Sequence, residues 1–126
     1  MRRRHYNVPD SDDAIVAMIS NILKANAGTV YMPNPKRIRE IGLAISTLRT
    51  AFEEFADDAE YVIEENPLTK SGIALMIRGT VLEIDDMQTF VSGIKSASNF
   101  CINALSNGKV EIGIMFYDAY VPVGKL

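Results

Sequence analysis

Residues 99–116 constrain the fold of this chain more than any other stretch, because their alternation specifies a hairpin and its register. Phe100, Ile102 and Ala104 alternate with Asn99, Cys101, Asn103 and Leu105, and Val110, Ile112, Ile114 and Phe116 alternate with Glu111, Gly113 and Met115. Ser106-Asn107-Gly108 separates the two runs. A three-residue loop sets Ala104 opposite Val110, Ile102 opposite Ile112 and Phe100 opposite Ile114, so each inward residue meets another. A two-residue loop would set Asn103 opposite Ile112. A slip of one residue turns a whole face over, so hydrophobic matching decides the register. A three-residue hairpin loop places a glycine in the left-handed conformation, and Gly108 stands at that position.

The 126 residues suit one domain that buries roughly two-thirds of its unfolded surface. An apolar share of 48% with 23% charged side chains is globular rather than disordered. No apolar run approaches the ~20 residues of a membrane span. Three arginines open the chain, but Asp10-Ser11-Asp12-Asp13 follows them instead of an apolar core, which argues against a secretory signal. With a single cysteine and no internal disulfide, the expected location is cytoplasmic, with no membrane partner. The net charge of −3 divides unevenly: residues 1–52 carry eight basic and four acidic side chains, and residues 53–126 carry five and twelve. Opposite patches of this kind can meet in a homo-oligomer.

Residues 1–9 read as a flexible basic arm, and residues 10–126 as one α+β domain. Asp10 is the expected cap of a helix over 11–26, with Ile15, Met18, Ile19, Ile22 and Leu23 on its apolar stripe. Residues 29–32 are short and β-prone. Asn34 caps a second helix with Pro35 in its first turn, where the missing N–H costs nothing. Ile38, Ile41, Ile45, Leu48, Phe52 and Phe55 step by three and four along it. A break at Asp57-Asp58 is expected, because Tyr61-Val62-Ile63 favours strand. Ile73, Leu75, Ile77 and Val81 alternate as a strand, with Gly79 as a bulge candidate. Asp85 with Gln88 marks a third helix start, with Phe90, Val91 and Ile94 buried.

This order predicts an α+β fold: a largely antiparallel sheet of 4–5 strands with helices on one face. If residues 30–32 join the sheet, the order is ferredoxin-like βαββαβ, with an extra N-terminal helix and an extra C-terminal strand. Otherwise two hairpins are joined by a crossover helix. The ferredoxin-like order hosts many unrelated functions and transfers no site.

Few residues carry chemistry. His5 is the one histidine, which argues against a triad or a histidine-rich metal site. Cys101, expected opposite Gly113, has no local group to lower its pKa and reads as a packing or interface residue. The acidic pairs do not converge, since adjacent helical residues point about 100° apart. The scattered glycines form no phosphate cradle. No catalytic residue, metal site or cofactor is therefore assigned. If the alternation of the last strand continues, Asp118 falls on the buried side, beside Tyr117 and Tyr120, with Arg78 as its natural partner. Those four are the candidate small-ligand site. Arg2, Arg3, Arg4, Lys36, Arg37 and Arg39 are the candidate nucleic-acid contacts, though the chain as a whole is acidic. Met115, Tyr117 and Cys101 are candidate interface residues on an outward sheet face. The leading expectation is a non-catalytic, bacterial-type interaction domain that self-associates as a dimer, with other protein partners open to it. A nucleic-acid-associated regulator and a small-ligand binder are the alternatives.

Overall fold

The computed structural model of the chain describes residues 5–26, 30–53, 59–65, 73–80, 99–104 and 109–124. In order they form β1 (His5–Asn7), α1 (Asp12–Asn26), β2 (Tyr31–Pro33), α2 (Pro35–Glu53), β3 (Glu60–Glu65), β4 (Ile73–Thr80), β5 (Asn99–Ala104), β6 (Lys109–Phe116) and β7 (Tyr120–Pro122). The fold is α+β. Five strands make one antiparallel sheet in the order β1-β3-β4-β6-β5, and β2 and β7 make a separate two-stranded ribbon.

The hairpin register is the one its alternation demands. Phe100 stands opposite Ile114, Ile102 opposite Ile112, Ala104 opposite Val110 and Cys101 opposite Gly113. β3 and β4 form the other hairpin, with Ile63 opposite Leu75. The two hairpins join through β4 and β6, whose pairing runs unbroken from Ile73–Phe116 to Thr80–Lys109. Gly79 sits inside that continuous ladder opposite Val110, so the expected bulge is absent there. The expected helix at 85, Val81 and the loop glycine Gly108 lie outside the described residues.

Both described helices pack on one face of the sheet. Ile15, Ile19, Ile22 and Leu23 of α1 and Ile38, Ile41, Ile45, Leu48 and Phe52 of α2 share a core with Ile63, Ile73, Leu75, Ile77, Ile112, Ile114 and Phe116. Side chains alternate across a sheet, so these seven strand residues are the odd positions of β3 and β4 and the even positions of β6. The opposite face is not open either: Ala74, Met76, Gly113 and Glu64 are buried on it.

Helix α2 starts as its sequence predicts. Asn34 Oδ1 accepts from the Arg37 amide at 3.4 Å, and the Asn34 carbonyl accepts from Ile38 at 2.9 Å. Helix α1 starts one residue later than expected. Ser11, not Asp10, is the cap: its Oγ accepts from the Ala14 amide at 3.1 Å. The Asp10 carbonyl instead accepts from Arg49 Nη2 at 3.1 Å, and Arg49 Nη1 donates to the Pro9 carbonyl. Those bonds, with the Val8 amide donating to the Tyr61 carbonyl at 3.1 Å, pin residues 5–10 to the body. The expected arm over 1–9 is corrected accordingly: residues 5–7 form the sheet edge, and residues 1–4 lie outside the described residues. Helix α2 is described to Glu53 and β3 from Glu60, the latter a strand as Tyr61-Val62-Ile63 predicts; the expected break at Asp57-Asp58 and Phe55 lie outside the described residues.

Residues 31–33 are a strand, but they pair with β7 and not with the main sheet. The ferredoxin-like order therefore finds no support in the described strands. β7 reaches β2 because the chain turns sharply after β6. Asp118 adopts φ 63°, the left-handed region that Asp tolerates better than most residues. The turn moves Ala119, not Asp118, into the core.

Candidate functional site

The residues singled out for a small-ligand site do not come together. Asp118 is exposed at the turn, so its expected place on the buried side is overturned. Arg78 pairs in register with Glu111, while Phe116, just before the turn, stands opposite Ile73 at the other end of β4. Five residues of strand, about 17 Å, separate the two ends. Arg78 is instead engaged across strands, its Nε donating to Glu111 Oε2 at 2.5 Å. That hydrogen bond raises its proton affinity against the opposing effect of desolvation, and the charges of Glu111, Glu64 and Glu60 add to it. Tyr120 directs its hydroxyl to the Leu23 carbonyl at 2.8 Å, closing the end of α1. The Tyr117 carbonyl accepts from Arg37 Nε at 2.8 Å.

The basic candidates divide in a similar way. Arg37 holds the Tyr117 carbonyl and Glu40, the latter at 3.3 Å, so it is part of the fold. Lys36 and Arg39 are exposed on α2. Arg2, Arg3 and Arg4 lie outside the described residues. Of the interface candidates, Met115 and Tyr117 are half-buried and not exposed as expected. Cys101 is placed by register alone, opposite Gly113.

A cleft of about 730 Å³ lies between the β1–α1 link, the end of α2 and the start of β3, lined by Asp10, Arg49, Thr50, Glu53, Glu60 and Tyr61 among others. Its cation points inward to the carbonyls of Pro9 and Asp10. Tyr61 offers its hydroxyl to the Arg49 carbonyl at 3.4 Å. Burial pushes the Tyr61 pKa up, Glu53 adds to the rise, and Arg49 opposes it. The side-chain donors of Arg49, Thr50 and Tyr61 in the cleft thus serve the protein's own backbone. Among the described residues, no group of three or more His, Cys, Asp or Glu side chains is placed to hold a metal ion. Among them, too, no helix is long and apolar enough to cross a membrane.

The distinctive surface is the ribbon. Its register sets Tyr31 opposite Pro122, Met32 opposite Val121 and Pro33 opposite Tyr120. Two flanking bonds extend it: the Val123 amide donates to Val30, and the Asn34 amide to Ala119, both at 2.8 Å. Hydrogen-bonded and non-hydrogen-bonded pairs alternate in an antiparallel ladder. Val30–Val123, Met32–Val121 and Asn34–Ala119 are therefore the bonded pairs. Pro33 and Pro122 fall at the positions whose backbone points outward, where a missing N–H costs no ladder bond.

One face of the ribbon carries Val30, Met32, Val121 and Val123. It runs outward from Ala119 in the core, past half-buried Met32 and Val121, to Val30 and Val123, which are 63% and 58% exposed. Tyr31, on the other face, is 54% exposed. No charged residue occurs from Val30 to Asn34 or from Ala119 to Gly124. Sequence reasoning missed this surface, although a signal was present: the triplets Tyr31-Met32-Pro33 and Tyr120-Val121-Pro122 repeat one pattern, and each is a strand of the ribbon.

The chain matches no family model and no curated protein.

Proposed function

We propose that this chain is a non-catalytic, cytoplasmic protein-interaction domain whose working surface is the β2–β7 ribbon. The observation that carries the reading is the ribbon's uncharged aliphatic face, exposed at Val30 and Val123 on a chain in which 23% of residues are charged. Contiguous exposed apolar patches mark surfaces that meet a partner, and Val30 and Val123 stand opposite each other at the outer end of this face. The polar side chains point the same way. Arg37, Arg49, Arg78 and Tyr120 each hydrogen-bond the chain's own backbone or a neighbouring carboxylate.

The test is a comparative capture from a cell extract with the wild-type chain, a Val30→Lys/Val123→Lys variant and a Leu43→Lys control. Leu43 is 62% exposed on α2, away from the ribbon. Partners held by wild type and control, further copies of the chain included, should be lost selectively from the ribbon variant. A partner set indifferent to the ribbon substitutions would overturn the reading.

A further inference from the structure

We infer that residues 5–10 form a strap that covers the edge of β3, is held closed by Arg49 and opens as a unit. The ribbon plays no part in it. β1 stands at the edge of the main sheet with β3 as its neighbour, and their pairing extends over three residues, His5 to Asn7. The Val8 amide adds a bond to the Tyr61 carbonyl at 3.1 Å. Arg49 then reaches across from α2 and donates to two successive carbonyls, those of Pro9 and Asp10. The residues that follow belong to the body. Ser11 caps α1, and Ser46 Oγ donates to Asp12 Oδ1 at 2.6 Å, tying the start of α1 to α2.

The strap is therefore rooted at Ser11 and Asp12, and Arg49 sets the direction in which it leaves that root. Fixing two successive carbonyls fixes the peptide planes between them, and that direction lays β1 along β3. Tyr61 joins the two contacts: its carbonyl holds Val8, and its hydroxyl donates to the Arg49 carbonyl at 3.4 Å.

Opening leaves the core intact. Among the described residues, every buried one lies at Ile15 or beyond. Tyr6 and Val8 are partly buried against the core, and Asn7 and Asp10 are exposed. A segment with so few buried apolar contacts opens at a free energy well below that of global unfolding. What it uncovers is a sheet edge. Bonded and non-bonded pairs alternate in an antiparallel ladder, so the bond at Val8 and Tyr61 makes Tyr6–Ile63 the next bonded pair. The Ile63 amide thus faces β1, while those of Val62 and Glu64 face β4. With β1 lifted, Ile63 would present the backbone donor and acceptor that template strand addition. The strap is a cover for that edge.

Residue-resolved hydrogen exchange of the full chain under native conditions tests this, with β3 as its own control. The Tyr6, Val8 and Ile63 amides should exchange together through one low-energy opening, while Val62 and Glu64 stay protected with the sheet. Arg49→Met keeps the aliphatic stem and removes the donors. It should speed the three strap amides about tenfold or more, the equivalent of losing one hydrogen bond to a charged group. Ile19→Val weakens the core beneath α1, which stays formed when the strap opens. It should speed Val62 and Glu64 several-fold and leave the strap amides unchanged. Far-UV circular dichroism checks each fold. If Arg49→Met fails to fold, Arg49→Lys, which keeps the charge without the fork, should speed the strap amides to a smaller extent. Exchange of Tyr6, Val8 and Ile63 at the rate of Val62 and Glu64 overturns the inference. So do strap amides that ignore the folded Arg49 variant or respond to Ile19→Val.

Discussion

Gly42→Ala tests a close approach of α2 to α1 in the core. Gly42 is buried on α2 facing α1, and a Cβ built there would stand 2.7 Å from Val16 Cγ2. The next contacts, to Ile15 Cγ2 and the Val16 amide nitrogen, are 3.8 Å and ordinary. The outcome therefore turns on whether the Val16 methyl can move. A helical valine is nearly confined to one rotamer, so relief requires the helices to shift. Inside a helix, alanine is favoured over glycine by about 1 kcal/mol. Overpacking a well-filled core costs about 1–3 kcal/mol. The balance is a loss of about 1 kcal/mol, or roughly 3–4 °C in Tm for a domain of this size. Urea denaturation followed by far-UV circular dichroism reads it. The decisive comparison is the same substitution in a Val16→Ala background. With the methyl gone, Gly42→Ala should stabilise by about 1 kcal/mol, leaving a coupling of about 2 kcal/mol between the two sites. If Gly42→Ala stabilises the wild-type chain by the full helix-propensity gain, α1 and α2 do not meet at this point and the packing argument is wrong.

Three further outcomes follow from local geometry. Ser11→Ala should cost about 1 kcal/mol and Asp10→Ala distinctly less, because Ser11 Oγ holds the Ala14 amide; equal losses in denaturation would mean Asp10 shares the cap. Asp118→Gly should be neutral or mildly stabilising, while Asp118→Val should cost about 1–2 kcal/mol, since only the β-branched residue resists φ 63°; a costly Gly variant would point to a role for the carboxylate. Tyr61 gives a pH dependence. Its pKa is raised in the fold by burial and then by Glu53, so the unfolded chain releases the phenolic proton first. Its contribution is intact below about pH 10 and declines as pH rises through the folded-state value. Urea midpoints from pH 9 to 11 should fall less steeply for Tyr61→Phe than for wild type, and parallel curves would place the phenol in water.

Sheet and helix patterns were legible wherever one face meets the core. The β5–β6 register and the buried seam of α2 follow from apolar spacing, and the Asn34 cap follows from the Asn-Pro pair at the start of that helix. Choices made by polar atoms over a single residue were not legible. Asp10 and Ser11 are both good caps, and the difference between them is set by Arg49, 39 residues away, which takes the Asp10 carbonyl. Likewise, the alternation of β6 predicts Asp118 inside. It fails because the chain turns at that residue and places Ala119 in the core, a conformation no periodicity encodes.

The ribbon was hidden for a related reason. Its strands are three residues long, too short for alternation to register, and they lie 89 positions apart at Tyr31 and Tyr120. Each also ends in proline, which by ordinary rules demotes a segment from strand. Here the demotion is informative. Proline is compatible with a two-stranded ribbon only where its backbone points outward, and both prolines occupy such positions. The same residues that conceal the strands thus protect their edges from unwanted pairing, while Val30 and Val123 stay exposed on the aliphatic face. A ribbon that needed only to tie the C-terminal segment to the body could carry polar side chains at positions 30 and 123, where exposure exceeds half. Valine at both positions, with the sheet edges closed and charges excluded, is the pattern on which the proposed interaction surface rests.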